Sequence, residues 1–544
     1  MKKPKTTENA RGTVSAADHA VIHRIPPELC ALIAHYAPRP TLSRLAQTSR
    51  RLYTIFSPLL YRNTVTPPLT SAQSLLLIQT LNADICARRV HPALLVQNLG
   101  VASVSKSLLS QDACKIALAN TIPASSVSKL RSIHWSVSSG VDALSTHIGA
   151  FPHLKELVVA CNGADLNAFT FLNKLDLDIL KLTLELSVGA PAFGLEDANR
   201  VLWKLAQALQ SLPLTSPCLS DFSLHLKTPC FLGDDAPYEA TTHLLCALNG
   251  LRFPCLRKFN FSFGFNCATR DFHDMIPSVA VFLDAHPRLT HLAINVPNDL
   301  FSDVPSFLSP LRSFTGNMDV VCALLEYGPR LEELFILDVH RVFLDVVRFR
   351  IKALPVLLTL AKLSVATIDS DGTVLKTTNE VSVVSLKSFA SSFPNLTCLD
   401  VPICESITNY QSTLRRFPKL RQLHLRQYMI EDIPLQSPLA TRFPASTYTN
   451  YIRRLVPHLP HLADVSVRIL LDDGREQDLH LSCGCRSDVC VARLLGPPEM
   501  EIEYEFAVLR ERRESHHAVE VVVESKFTDA RTERRTRTVP DHAW

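Results

Sequence analysis

The sequence predicts an α/β chain in which a small N-terminal helical module precedes a long solenoid of helix and short strand. Three observations predict it. An apolar phrase recurs from about residue 90 to 470. A cluster of helical periodicity, punctuated by prolines, stands ahead of it between Ile25 and Val65. The 544 residues are 47% hydrophobic and 20% charged, enough apolar material for a large core and too much for global disorder.

Residues 1–20 are polar and read as a disordered leader without the apolar stretch of a secretory signal. No run approaches 18 uncharged apolar residues, so no membrane partner is expected. The 15 cysteines lie mostly inside apolar patterns and read as buried small hydrophobes. A cytoplasmic or nuclear location fits these features. Formal charge is only +4, and no basic stretch is interleaved with aromatics, so nucleic acid is not an expected partner.

The module occupies residues 21–65. Pro26 and Pro27 suit a first turn, where a missing N–H has no helical partner, and Glu28 complements the positive end of the helix dipole. Leu29, Leu32, Ile33 and Tyr36 then fall on one face, and Pro38 and Pro40 close the helix. Leu42, Leu45 and Ala46 mark a second helix. Leu52, Ile55 and Phe56 mark a third, ending at Pro58. Three helices in so few residues bury little surface alone, so the module docks on something or caps the domain behind it.

The residue identities narrow this. Ile25-Pro26-x-Glu28-Leu29, Ile33, Leu42-x-x-Leu45-Ala46, Thr48-Ser49-Arg50-Arg51-Leu52-Tyr53 and Pro58-Leu59-Leu60-Tyr61-Arg62 together resemble an F-box, closest to the fungal form. Ile25 stands where leucine is commoner. The resemblance implies helices that bind a Skp-type adaptor, and through it a cullin, by packing apolar side chains on the adaptor. Carried over by position, Ile25, Pro26, Leu29, Ile33, Leu42, Leu45 and Ala46 form that docking surface or its immediate support.

Residues 66–470 carry the repeat, apolar-x-x-apolar-x-apolar. Val96/Leu99/Val101 and Leu130/Ile133/Trp135 open it, Ile179/Leu182/Leu184 and Leu219/Phe222/Leu224 continue it, and Leu462/Val465/Val467 closes it. Leu311 to Phe314 is a shorter version. Lead-ins such as Phe253-Pro254-Cys255-Leu256, His286-Pro287-Arg288-Leu289 and Phe417-Pro418-Lys419-Leu420 precede many copies. Apolar residues two apart share one face of a strand, and helical periodicity such as Leu202, Leu205, Ala206 and Leu209 precedes it. Helix, proline and short strand in repetition predict an irregular leucine-rich-repeat solenoid, a horseshoe. The alternative, an ordinary α/β domain, calls for continuous apolar strands, whereas pairs such as Lys155-Glu156 and Arg421-Gln422 occupy the intervening positions.

Residues 471–530 read as a β-rich C-terminal cap. Leu471-Asp472-Asp473-Gly474 suggests a hairpin turn, and residues 500–508 and 518–527 suggest two further strands. Residues 531–544 form a basic tail.

Motifs for chemistry are weak. Gly189 to Gly194 has phosphate-loop glycine spacing but continues Leu195-Glu196 instead of Lys-Ser/Thr. Cys483, Cys485 and Cys490 with His480 crowd one loop, whereas a tetrahedral zinc site normally draws two separated pairs. Asp369 to Gly372 lacks the later ligands of a calcium loop. No catalytic residue, metal or cofactor is expected. The implied role is that of a non-catalytic specificity subunit of an SCF-type ubiquitin ligase, with the repeats holding a protein target. A repeat scaffold without a ubiquitin role is the alternative, and an enzyme a distant third.

Overall fold

In the computed structural model of the chain, the Phe-Pro-x-Leu lead-ins are turns. The Leu256 amide donates to Phe253 O at 3.1 Å, Leu289 to His286 O at 3.2 Å, Leu396 to Phe393 O at 3.3 Å and Leu420 to Phe417 O at 3.1 Å. Proline sits second in each, where its fixed φ suits a turn and its missing N–H removes no bond. The described residues are 26–37, 39–63, 65, 73, 77, 95–101, 129–135, 151–162, 168–185, 195–227, 238–263, 276–295, 306–338, 357–368, 374–375, 383–403, 407–430, 445–472, 477–478, 493–494, 500–512 and 517–529.

The chain divides into two units, Met1–Val159 and Ala160–Trp544. In the first, helices α1 (Pro27–Tyr36), α2 (Arg39–Thr48) and α3 (Arg50–Arg62) precede three parallel strands, β1 (Asn98–Val101), β2 (Ser132–Trp135) and β3 (Glu156–Asn162). Leu99 lies beside Ile133 and Ile133 beside Leu157, all 5% exposed or less.

The second unit contains ten parallel strands in strict chain order. They are β4 (Ile179–Glu185), β5 (Asp221–Lys227), β6 (Lys258–Phe263), β7 (His291–Asn295), β8 (Ser313–Asn317), β9 (Glu333–Asp338), β10 (Lys362–Ile368), β12 (Cys398–Ile403), β13 (Gln422–Ile430) and β14 (Asp464–Asp472). The short β11 (Val374–Leu375) folds back on β10. Helices α4 (Leu195–Thr215), α5 (Tyr238–Gly250), α6 (Ile276–Asp284), α7 (Met318–Glu326), α8 (Val383–Ser392), α9 (Gln411–Leu414) and α10 (Ala445–Leu455) lie between strands. Among the described residues, no helix is long and apolar enough to cross a membrane.

Register explains the repeated phrase. Its first leucines, including Leu219, Leu256, Leu289, Leu331 and Leu420, are fully buried. Its middle positions align across neighbouring strands as Leu180, Phe222, Phe259, Leu292, Phe314, Leu334, Leu363, Leu399, Leu423 and Val465. Parallel pairing in register places like beside like, so the apolar face is continuous. The opposite face carries polar pairs, such as Lys181 Nζ with Asp221 Oδ2 at 3.3 Å and His225 Nδ1 with Ser262 Oγ at 2.6 Å.

Four expectations change. The phrase on β4 is Leu177/Leu180/Leu182, not Ile179/Leu182/Leu184, because Leu180 pairs with Phe222 and Ser220 N–H donates to Asp178 O. Alternating leucines fit two registers, and the backbone ladder selects one. Pro58 does not stop α3, which continues to Arg62; Leu59 and Leu60 pack on the helical core, and that burial offsets one lost helical bond. Pro40 lies inside the first turn of α2 instead of closing α1. Asp473 and Gly474 lie outside the described residues, but β14 takes as its antiparallel partner β17 (Met500–Arg512), not the run just after Gly474. Between them β15 (Gln477–Asp478) pairs with β16 (Arg493–Leu494), and β17 pairs with β18 (His517–Asp529). The predicted strands 500–508 and 518–527 are therefore present, each extended.

Candidate functional site

The module is built around six buried side chains: Cys30 and Ala34 of α1, Leu42 and Ala46 of α2, and Leu52 and Phe56 of α3. Leu45, Ile55, Leu59 and Leu60 pack around them. Local chemistry fixes each helix. The Cys30 amide donates to Pro26 O at 3.1 Å, starting α1 at its proline. The Ser49 hydroxyl accepts from the Leu52 amide at 3.2 Å and caps α3. The Arg39 guanidinium donates to the Asn63 carbonyl at the other end of α3, where a cation suits the dipole. Burial, with neighbouring Tyr53, pushes the Tyr61 phenol above its ordinary pKa.

α1 is apolar on two sides and buries only one. Cys30 and Ala34 face the core, while Leu29 is 50% exposed, Leu32 55%, Ile33 43% and Tyr36 79%. Four of the eight exposed large hydrophobics among the described residues therefore share one ten-residue helix, at spacings that stack them in a stripe. Scattered exposed leucines are ordinary; a contiguous stripe on one helix is not.

The structure sorts the candidate residues. Pro26, Leu29 and Ile33 stand together on the exposed side. Leu45 is half-buried. Leu42 and Ala46 lie in the module's core and not on the exposed side. Ile25 lies outside the described residues. Leu32 and Tyr36 belong to the stripe as well, and their periodicity with Leu29 was the signal for it.

The module is also joined to the strand that follows. The Gln97 amide donates to Arg62 O at 3.0 Å, Arg62 Nε donates to Gln97 Oε1 at 2.9 Å, and Asn63 bridges Asn98 in parallel. Gln97 O accepts in turn from the Arg131 amide at 2.8 Å. The end of α3 thus closes the outer edge of β1.

Among the described residues, no group of three or more histidine, cysteine or acidic side chains could hold a metal. Cys483, Cys485, Cys490 and His480 lie outside them, as do Gly189 to Gly194 and Asp369 to Gly372. His286 is the buried histidine of note, and both its nitrogens are bonded to backbone: Phe282 O at 2.6 Å and the Phe253 amide at 2.9 Å. That arrangement is structural, a satisfied core group.

A family model described as F-box-like matches residues 22–66, the segment that contains all three helices. No curated protein matches the chain.

Proposed function

We propose that the chain is the substrate-recognition subunit of an SCF-type ubiquitin ligase. The F-box-like domain supports that role in general, since such subunits are typically non-catalytic. One observation carries the specific reading. The stripe of Leu29, Leu32, Ile33 and Tyr36 is exposed while the other side of α1 is committed to the module's own core. A Skp-type adaptor covers that stripe with apolar helices of its own, and a cullin joins through the adaptor. The parallel array is a leucine-rich-repeat solenoid whose surface holds a protein target; continuous register from β4 to β14 supports that architecture. The mechanism is proximity: lysines of the bound target are held near a ubiquitin-charged enzyme at high effective concentration.

The test is co-purification with a Skp-type adaptor. The native chain is expected to retain the adaptor, and the Leu29→Asp/Ile33→Asp double variant to lose it while keeping its helical signal. Equal recovery from both chains overturns the reading.

A second reading, a repeat scaffold capped by the module, is favoured by the bonds from Arg62 and Asn63 to Gln97 and Asn98. The two roles are compatible, because the cap uses the end of α3 and the stripe lies on α1. Deleting the module removes both roles at once, so substitutions on α1 are the discriminating experiment.

A further inference from the structure

Four cations on or beside the strands of the second unit have carboxylate partners. Lys181 pairs with Asp221, Arg312 with Glu332, Lys362 with Glu333 and Arg426 with Asp400. The helices differ along the array. α5, α6 and α7 contain no lysine or arginine, and Asp284 and Glu326 are exposed there. The turns after α5, α6 and α7 carry the exposed Arg252, Arg288 and Arg330, so both signs occur there; from α8 to α10 the described carboxylates drop out, Asp400 excepted. Lys387, Arg415, Arg416, Lys419, Arg453 and Arg454 are all exposed, and none has an ion-pair partner among the described residues. Asp400 is the sole carboxylate in the described part of 383–463; it is half-buried and held by Arg426 Nε at 3.0 Å.

The elements that carry these cations are neighbours. α8 packs on α9. The charge of Arg415, just after α9, acts on Tyr451 of α10. β13 and β14, which follow α9 and α10, are paired along nine residues. A dipole role accounts for Arg453 and Arg454 in the last turn of α10, but α9 has only four residues, too few to call for Arg415, Arg416 and Lys419 after it.

We propose that this basic surface, spanning α8 to α10, binds an acidic segment of a protein partner. Four of the six cations are arginines, whose planar forks match carboxylates two bonds at a time. Among the described phenylalanine and tyrosine side chains here, Phe389, Phe393, Tyr410, Phe417 and Tyr451 are all buried, and none offers a stacking platform for single-stranded nucleic acid beside the charge. Desolvated or not, such a surface accelerates encounter with an opposite charge and excludes basic partners. The inference rests on the array being the target-binding half, and it names the chemistry of that target.

The test is fluorescence anisotropy of a labelled peptide of about 12 Asp/Glu residues against the full chain, beside a Gly/Ser peptide and a single-stranded DNA of equal length. Saturable binding of the acidic peptide is expected, weakening at least about tenfold as salt rises through the range that shortens the screening length from roughly 14 to 6 Å. The Arg415→Glu/Arg416→Glu/Arg453→Glu/Arg454→Glu variant is expected to bind at least about tenfold more weakly. Each pair of reversals alone gives a partial loss, which covers the case of a misfolded quadruple variant. Absence of saturable binding, retention by the quadruple variant, or tighter binding of DNA than of the acidic peptide overturns the proposal. Adaptor affinity of the same variants stays at the native value, so failure here is distinct from failure of adaptor docking.

Discussion

His286 Nε2 accepts the Phe253 amide at 2.9 Å, so one buried side chain ties two consecutive repeats. Its Nδ1 donates to Phe282 O at 2.6 Å, which fixes the neutral tautomer. The ring occupies the lead-in position that phenylalanine fills in Phe253-Pro254 and Phe417-Pro418, and it lies 4.3 Å from the ring of Phe282 and 6.0 Å from that of Phe253. It packs as an aromatic and bonds as an amide partner.

Stability should therefore fall in mild acid. Burial is the main cause holding the His286 pKa below its ordinary 6.5; the bond to Phe282 O opposes it, and Arg252 adds to it. The unfolded chain takes up the proton first as pH drops below that ordinary value, so stability present above it is lost on the way to the lowered value. His286→Phe keeps the packing but leaves the Phe253 amide unpaired, costing about 1–3 kcal/mol at neutral pH. Urea unfolding above and below the ordinary histidine pKa should show the native chain losing more stability than the variant. Equal losses would remove His286 from the account.

Gly316 explains why one repeat phrase is short. It stands in the row between Ile294 and Ile336, where a third apolar side chain would sit. A Cβ there would lie 2.8 Å from Phe314 Cε1 and 3.2 Å from Ile294 O. The Phe314 ring, fully buried, already fills the space. Gly316→Ala is expected to cost about 1–3 kcal/mol by overpacking, and Phe314→Leu to recover part of that loss. Thermal unfolding of the single and double variants checks it.

Within the module, burial and exposure should separate cleanly. Phe56→Ala removes a ring that is 2% exposed at the centre of the helical core and should cost about 3–5 kcal/mol, unfolding the module. Leu32→Ala, at 55% exposed, should change stability by less than about 0.5 kcal/mol. Circular dichroism on the full chain, with limited proteolysis of residues 22–66, measures both.

Removing residues 22–65 should destabilise the strands that follow. Without Arg62 and Asn63, the Gln97 amide and the outer edge of β1 lose their partners. An open strand edge invites pairing with other chains. The shortened chain should show faster hydrogen exchange at Gln97 and concentration-dependent association in sedimentation. Native exchange at Gln97 would show that the cap contributes nothing.

Much of this was legible because parallel strands in register demand repetition. Leu219, Phe222 and Leu224 recur as Leu256, Phe259 and Phe261, and the structure stacks them row on row. Alternation is ambiguous by two residues, which is why β4 could not be phased from Leu180, Leu182 and Leu184 alone. Proline positions marked the turns correctly at Pro254 and Pro418, where a strand follows. They misled at Pro58, where packing of Leu59 and Leu60 carried the helix past a local breaker. The stripe on α1 was legible as periodicity, but periodicity does not say which side faces outward. Small residues decided that: Cys30 and Ala34 allow close approach to α3, leaving the larger side chains outside.

The central claim is that α1 keeps an apolar stripe for a partner. The most direct measurement is the affinity of the folded chain for a purified Skp-type adaptor, titrated for the native sequence and for Ile33→Asp. Burying a charge where an isoleucine packs should weaken binding on the order of 100-fold while thermal stability holds, since Ile33 is 43% exposed in the free chain. An unchanged affinity, with the variant folded, would contradict the account.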